Sequence, residues 1–225
     1  MVMSRAATMT ATARSVVQRL PEPVLDGLRT MAAAVPRRVR DIDEQRPVPP
    51  GAVDVRKLVG ELSLDELSES ADAYYRENME AVDHWLAKPF SDIPDAVDTM
   101  ITLGTLFAGM ELVPGLRVLE FGAGSGWASR MLTQMGCEVV VSDVSPAALE
   151  IARRLYELHP VVGDPPEPTM LLFDGHRFDL PDQSVDRTLC YGSLHHVVNP
   201  DEVIAEMGRI LRPGGIAAFG EPGAN

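Results

Sequence analysis

The sequence has 225 residues, of which 45% are hydrophobic, 24% charged and 5% aromatic. This length supports one core of ordinary size with an accessory element, and the composition argues against a chain that is disordered throughout. The net charge of −13, from 20 Lys+Arg and 33 Asp+Glu, disfavours DNA or RNA as a partner because a polyanion would be repelled.

No apolar run is long enough to span a bilayer, and the N-terminal residues lack the apolar core of a secretory signal. We therefore expect a soluble, cytoplasmic protein without a membrane partner. Cys137 and Cys190 do not have the spacing of metal ligands. We expect both to be reduced and packed in or beside strands, and we expect no metal site.

Residues 1–50 are predicted to form a flexible tail and linker. They hold 8 Arg and 5 acidic residues, whereas residues 51–225 hold 12 basic and 28 acidic residues. Arg37, Arg38 and Arg40 fit either a solvated linker or a small anion-binding patch. The proline-rich residues 46–51 cannot continue a helix and mark the end of this segment.

Residues 51–111 are predicted to form a helical cap. Ser63 and Glu66 have the spacing of a capping box, and residues 68–85 contain no Gly or Pro. Apolar residues at helical spacing continue over residues 95–110 and predict another helix. The apolar residues at this spacing are Val97, Met100, Ile101, Leu103 and Leu106.

Strands and helices alternate from residue 112 to residue 225. Strands are predicted at residues 117–121, 138–143, 169–173, 185–191 and 216–219. Helices are predicted to begin at residues 127, 146 and 200, the second of them capped by Ser145, and residues 213–215, Pro-Gly-Gly, end the third. Repeated strand-helix-strand units imply right-handed crossovers and a doubly wound, Rossmann-like parallel sheet of the α/β class.

The loop after the first strand is the most informative ligand site. Gly122, Gly124 and Gly126 permit a tight turn and let a ligand approach the backbone, and the following helix begins there with free N–H groups. The spacing is G-x-G-x-G rather than the G-x-G-x-x-G of dinucleotide binders. Glu120 precedes the loop, and its carboxylate suits a cationic ligand better than a pyrophosphate.

Acidic residues also end the second and third strands. Asp143 is suited to accept both hydroxyls of a ribose, and Asp174 is suited to accept from an exocyclic amine such as that of adenine. Each acid alone also fits a solvated strand end or a helix cap. Together with Glu120 and the glycine loop, these acids predict a site for a nucleoside that carries positive charge.

Four motifs occur in order over residues 118–215. The first, VLEFGAGSG at residues 118–126, resembles motif I of class I S-adenosylmethionine-dependent methyltransferases. Residues 178–186 resemble the LP-x-x-x-S-[FV]-D segment before strand 4, residues 194–196 the LHH after it, and residues 211–215 the L-[KR]-P-G-G before strand 5. The four motifs occur in the family's order.

The resemblance implies an S-adenosylmethionine-binding core over residues 112–225, with strand order 3-2-1-4-5. The residues that would hold the methionine end of the cofactor are Glu120, Gly122, Ala123, Gly124, Ser125 and Gly126. Asp143 would bind the ribose, and Val144 would pack on adenine. Asp174, with the Gly175 N–H, would contact the adenine edge.

The turn after strand 4 holds the candidates for catalysis. The resemblance implies that Tyr191, Gly192 and Ser193 pass under the sulfonium, at a point where the family often has Asn or Asp. His195 and His196 follow, and either one fits a general base if the acceptor must lose a proton. The pair fits a structural post at the strand-to-helix turn as well.

Aromatic residues of the helical cap suggest how the cofactor site is covered. In related methyltransferases a segment before motif I folds over the cofactor. Tyr74, Tyr75 and Trp85 fit such a lid, because amphipathic aromatics can close a pocket and supply a hydrogen bond. Packing in an ordinary core is the alternative for all three.

We predict a methyltransferase that moves a methyl group from S-adenosylmethionine to a small-molecule acceptor by in-line displacement. A non-catalytic cofactor-binding module, as a partner subunit or domain of a larger enzyme, is the alternative. A dinucleotide-dependent oxidoreductase is disfavoured by the glycine spacing and by Glu120.

The family's fold continues past strand 5 with a helix and strands 6 and 7, whereas this sequence stops at Asn225. The apolar residues 216–219 have the composition of a strand that is buried on both faces. We therefore expect either a longer native chain or a homo-oligomer that covers this edge of the sheet.

Overall fold

A computed structural model of the protein describes residues 63–222. The predicted tail and linker, residues 1–50, lie outside the described residues, and so does the first part of the predicted cap, residues 51–62. The three arginines at positions 37, 38 and 40 belong to that part of the chain.

Five parallel strands form one sheet in the order β3-β2-β1-β4-β5. The strands are β1 (Arg117–Phe121), β2 (Glu138–Asp143), β3 (Thr169–Leu172), β4 (Val185–Tyr191) and β5 (Leu211–Gly220). β1 lies at the centre, where Leu119 is in register with Val140 on one side and with Thr188 on the other. The predicted α/β class and the strand order are confirmed, and β3 ends one residue earlier than predicted.

Three of the described helices precede the sheet and three lie between its strands. The first group is α1 (Leu64–Glu77), α2 (Val82–Leu86) and α3 (Ile93–Gly109), and the second is α4 (Trp127–Gln134), α5 (Pro146–Leu158) and α6 (Pro200–Ile210). The 3₁₀ turns are Met79–Ala81 and Leu194–His196. The predicted cap of α5 is confirmed, since the Ala148 N–H donates to Ser145 Oγ at 3.0 Å. Among these helices none is long and apolar enough to cross a membrane.

The sheet separates two apolar clusters. Because successive side chains of a strand point to opposite faces, Val118 joins the cluster packed against α4 and α5, whereas Leu119 joins the cluster packed against α6. Cys137 and Cys190 are free and buried, one in each cluster, as predicted. Burial on both faces explains the nearly continuous apolar runs of β1 and β2.

The helical cap begins with the predicted capping box. The Ser63 N–H donates to Glu66 Oε2 at 2.8 Å, and the Glu66 N–H donates to Ser63 Oγ at 3.2 Å. Helical structure over residues 68–85 is broken at Asn78, whose Nδ2 donates to the Tyr74 carbonyl at 2.7 Å. This side-chain bond competes with the helical hydrogen bonds, and the chain turns before α2 begins.

The helix predicted over residues 95–110 is present as α3, but only part of its apolar residues are buried. Leu103 is buried and Leu106 half-buried, but Val97 and Ile101 are 62% and 63% exposed, and Met100 is exposed as well. At roughly 100° of rotation per residue, Val97 and Ile101 point 120° or more away from Leu103. The spacing indicated a helix correctly, but it did not show which of two neighbouring stripes packs on β5.

β5 differs from its prediction in extent and in burial. It begins at Leu211, directly after α6, instead of after the Pro-Gly-Gly of residues 213–215. The prediction that residues 216–219 are buried on both faces is wrong, because Ala217 is exposed and Phe219 is only half-buried. Among the described strands β5 is the last of the sheet, so fewer groups pack against it.

Candidate active site

A cavity of about 760 Å³ opens at the C-terminal ends of the strands. Its walls come from the loop after β1, the end of β2, the turn after β4, and helices α1 and α2. The strand order reverses between β1 and β4, which is the position where open α/β sheets bind ligands.

The loop of residues 122–126 forms the tight turn that the sequence predicts. Gly122, Gly124 and Gly126 have φ angles of 64°, 55° and 71°, a region that favours glycine. A Cβ on Gly122 would lie 2.4 Å from the Cβ of Ser193, and a Cβ on Gly126 would lie 2.8 Å from that of Ala152. Both the conformation of the loop and its contacts with neighbouring segments therefore require glycine.

Glu120 is a buried acid at the end of β1. It is 3% exposed and lines the cavity, and Ser129 Oγ donates a hydrogen bond to its Oε2. Burial raises the pKa of Glu120 to about 7; the hydrogen bonds with Ser129 oppose this effect, and the nearby Asp143 carboxylate adds to it. A cation bound in the cavity would favour the ionised form.

Asp143 is a second buried acid, at the end of β2. Its Oδ2 accepts from the Gly124 N–H at 2.8 Å, and its Oδ1 accepts from the Ser145 N–H at 2.9 Å. Burial raises the pKa of Asp143, and these backbone hydrogen bonds lower it in part. The carboxylate thus links β2, the glycine loop and the start of α5.

Most residues predicted to bind the cofactor line this one cavity. They are Glu120, Gly122, Ala123, Gly124, Ser125, Asp143, Val144, Gly175 and Tyr191. Gly126 and Asp174 are not among the lining residues. Gly126 supports the loop from behind, against Ala152.

Asp174 is exposed, and its carboxylate organises its own turn. Its Oδ1 accepts from the N–H groups of His176 at 2.8 Å and Arg177 at 2.6 Å. These backbone hydrogen bonds hold the pKa of Asp174 below its usual value. The contact of Asp174 with adenine, which the resemblance implies, stays a prediction.

Tyr74, Tyr75 and Trp85 form an aromatic cluster in the cavity wall. Their ring centroids lie 5.0 to 5.8 Å apart. Trp85 is buried and Tyr74 is 55% exposed, so the cluster combines core packing with an open face. The Tyr75 hydroxyl lies 2.8 Å from the position of a Cβ on Gly124, and burial with the charge of Asp143 raises the pKa of Tyr75. Tyr75 therefore meets the cavity as a neutral hydroxyl.

The two histidines after β4 occupy different positions. His196 lines the cavity, whereas His195 is outside it and its Nδ1 lies 2.7 Å from Glu221 Oε2. Burial and the neighbouring His195 lower the pKa of His196, so it is neutral near pH 7 and able to accept a proton. Among residues 63–222 no group of three or more His, Cys, Asp or Glu is arranged to hold a metal ion.

Residues 119–219 match the family model described as a methyltransferase domain. This segment runs from β1 into β5 and carries the glycine loop, both buried acids and the two histidines. Residues 119–219 therefore form a methyltransferase domain.

Relatives of this methyltransferase domain agree with the assignment. The chain is 32% identical to malonyl-[acyl-carrier protein] O-methyltransferase of Serratia marcescens over 108 residues, 47% of this chain and 38% of that protein. It is 35% identical to demethylmenaquinone methyltransferase of Renibacterium salmoninarum over 114 residues, 49% of this chain and 44% of that protein. The chain thus spans less than half the length of either relative.

A solved structure has the same fold as the methyltransferase domain. It belongs to a proposed methyltransferase of Bacillus halodurans, with a TM-score of 0.50 and 22% identity. The similar region covers 55% of this chain and 52% of that one.

Two residues that support the candidate site were missed by the sequence analysis. Asp72, in α1, accepts from Ser145 Oγ at 2.8 Å and from the Ala147 N–H at 2.9 Å, and it pairs with Arg76. It therefore fixes the aromatic helix to the start of α5. No sequence pattern indicated this contact, because its partners lie 73 and 75 residues away.

Glu221, just after β5, is the second missed residue. Its carboxylate accepts from the N–H groups of Ser193 at 3.1 Å and Leu194 at 2.9 Å, and it contacts the His195 ring. Burial opposes ionisation of Glu221, but the hydrogen bonds from His195 and the backbone outweigh it and lower its pKa to about 2. Its position in the sequence could have indicated this role, because Glu221 directly follows a strand, and the two buried acids Glu120 and Asp143 also lie at strand ends.

Proposed function

We propose that the protein transfers the methyl group of S-adenosylmethionine to a small-molecule acceptor. The observation that supports this proposal is the meeting of a glycine loop with two buried acids, Glu120 and Asp143, in one cavity. Buried carboxylates favour a cationic ligand and disfavour the pyrophosphate of a dinucleotide. When bound, S-adenosylmethionine supplies a methyl group that is already activated on a sulfonium.

Asp143 and Val144 are the residues that we assign to the nucleoside. Each Asp143 oxygen accepts one backbone N–H and has a second lone pair for a ribose hydroxyl. Val144 and Phe173 both line the cavity and can offer apolar surface to adenine. The glycines of the loop have positive φ angles and no side chains, so the cofactor can approach the loop backbone closely.

We assign the remaining lining residues of the cavity to binding of the acceptor. α1 contributes Leu64, Leu67 and Tyr74, which favour an acceptor with apolar surface. His196 is the side chain that we assign to accept a proton from acceptors that lose one, because it lines the cavity and is neutral near pH 7. Alignment of the acceptor and exclusion of water are the other tasks of these walls.

Calorimetry with the purified chain tests the proposal. We expect S-adenosylmethionine and S-adenosylhomocysteine to bind with micromolar affinity and NAD to give no heat of binding. Binding of NAD without a response to either sulfur nucleoside would contradict the assignment. Tight binding without methyl transfer to any acceptor would favour the non-catalytic module.

Asp143→Asn is expected to weaken S-adenosylhomocysteine binding by about 10–150-fold. The variant keeps the volume of the side chain, but its NH₂ cannot accept from a ribose hydroxyl or a backbone N–H. Charge-assisted bonds of about 1.5–3 kcal/mol correspond to this range. Titration calorimetry gives the dissociation constants, and circular dichroism checks that the variant is folded.

Asp182→Asn is the matched control for the change of one charge. Asp182 is 70% exposed and pairs with Arg209, away from the cavity. We expect its affinity for S-adenosylhomocysteine to stay within twofold of the wild type. Equal affinities of folded Asp143→Asn and wild type would mean that the ribose binds elsewhere.

A further inference from the structure

Lys88 is the cationic residue of the cavity. Among the described residues that line the cavity it is the only Lys or Arg, and it follows α2 by two residues. The sequence contains one other lysine, Lys57. No motif of the domain includes Lys88, and its position became evident only from the fold.

The backbone near Lys88 is attached to the glycine loop. The Trp85 carbonyl accepts from Ser125 Oγ at 3.1 Å and from the Lys88 N–H at 3.4 Å. Ser125 and Trp85 are both buried, and Pro89, which follows Lys88, is buried too. These contacts keep Lys88 beside the loop that the methionine end of the cofactor would approach.

The Lys88 ammonium has no carboxylate partner among residues 63–222. The ion pairs formed there use arginines and histidines only. Lys88 is exposed and lines the cavity, but the surrounding groups remove part of its hydration and lower the pKa of Lys88. An ammonium in such a wall is stabilised by an anion that enters the cavity.

We propose that Lys88 binds the carboxylate of the methionine part of the cofactor. Glu120 lines the same cavity and is the matching acid for the ammonium of that α-amino acid group. The two side chains thus bind the opposite charges of a zwitterion. Lys88, just after α2, binds the carboxylate, and Glu120, in β1, binds the ammonium. This assignment rests on the proposed function, which supplies the cofactor.

A pair of ligands isolates the carboxylate. S-adenosylhomocysteine carries both charges of the amino acid, and decarboxylated S-adenosylhomocysteine keeps the amine and lacks the carboxylate. We expect the wild type to bind the decarboxylated ligand at least tenfold more weakly. We expect Lys88→Met to lower the affinity for S-adenosylhomocysteine by about tenfold or more, since charge-assisted bonds have this strength. The affinity of this variant for the decarboxylated ligand is expected to stay within twofold of the wild-type value.

Two further variants control the comparison. Lys88→Arg keeps the charge and is expected to restore most of the affinity for S-adenosylhomocysteine. Arg153→Met removes one positive charge from an exposed pair with Glu150 and is expected to change neither affinity. Thermal melting of each variant verifies that it is folded.

Each remaining result contradicts the assignment. Equal losses for both ligands in Lys88→Met would mean that Lys88 supports the loop rather than the carboxylate. Unchanged affinity for both ligands in Lys88→Met would mean that the Lys88 ammonium contacts the acceptor or solvent instead of the cofactor. If Lys88→Met does not fold, equal binding of the two ligands by the wild type overturns the proposal. Failure of the wild type to bind either nucleoside would instead overturn the proposed function.

Discussion

Gly122→Ala is expected to lower the free energy of unfolding by about 3 kcal/mol. A residue with a Cβ at φ 64° loses roughly 1–2 kcal/mol relative to glycine. The new Cβ would also lie 2.4 Å from both Cβ and Oγ of Ser193, and overpacking of this kind costs about 1–3 kcal/mol. Ser193 cannot move freely, because its Oγ donates to the Gly122 carbonyl at 2.8 Å.

Gly192→Ala is the matched control for backbone strain. Gly192 has the same φ of 64°, and a Cβ there would meet nothing within 4 Å. We expect the free energy of unfolding of this variant to fall only by the strain contribution, about 1–2 kcal/mol. Urea unfolding, with equal m-values in all variants, measures the difference between the two alanine substitutions.

A double-mutant cycle with Ser193→Gly separates the collision from other effects. Ser193→Gly removes both atoms that lie 2.4 Å from the new Cβ. Gly122→Ala is therefore expected to be less destabilising in that background than in the wild type. The same loss in both backgrounds would contradict the collision as its cause.

The core of the fold was predictable because its strands are buried on both faces. Val118 and Leu119 pack into opposite clusters, so β1 needs apolar residues at successive positions. Such runs differ clearly from helices and turns in sequence. The positive φ angles of Gly122 and Gly124 were predictable as well, since few other residues adopt them.

The parts that the sequence did not predict depend on tertiary packing. Helical spacing located α3 but not the stripe that packs on β5, because Val97 and Ile101 share this spacing with Leu103 although both are exposed. Asp72 supports the site through an element that is distant in sequence, and Lys88 stands in no motif. Their positions follow from how α1 docks on the start of α5 and α2 docks on the glycine loop, which local patterns do not encode.

Glu120→Gln is expected to stabilise the ligand-free protein above pH 7. The pKa of Glu120 is about 7 in the folded protein against an ordinary value of 4.5, so the folded state binds this proton more tightly than the unfolded state. The wild type therefore loses stability as the pH rises from 4.5 through 7, and glutamine does not. The difference reaches about 3 kcal/mol at pH 8. Urea unfolding at pH 5 and pH 8 measures it.

The same substitution is expected to weaken binding of S-adenosylmethionine and to remove its pH dependence. If the ammonium binds the ionised carboxylate, affinity of the wild type rises about tenfold between pH 5.5 and pH 7, where an amino group of ordinary pKa stays protonated. Glu120→Gln has no such proton to release. Any remaining pH dependence in that variant belongs to other groups, including His196 and Asp143, which also line the cavity.

The two effects of Glu120→Gln have one cause and therefore test it together. Ionisation of a buried carboxylate destabilises the empty site, and a bound cation offsets that penalty. A gain in stability with a parallel loss of affinity is expected only if Glu120 is the acid that meets the cationic ligand. Wild-type affinity that is flat from pH 5.5 to pH 7, together with unchanged stability of Glu120→Gln at pH 8, would mean that Ser129 already satisfies this carboxylate and that the ligand's ammonium binds elsewhere.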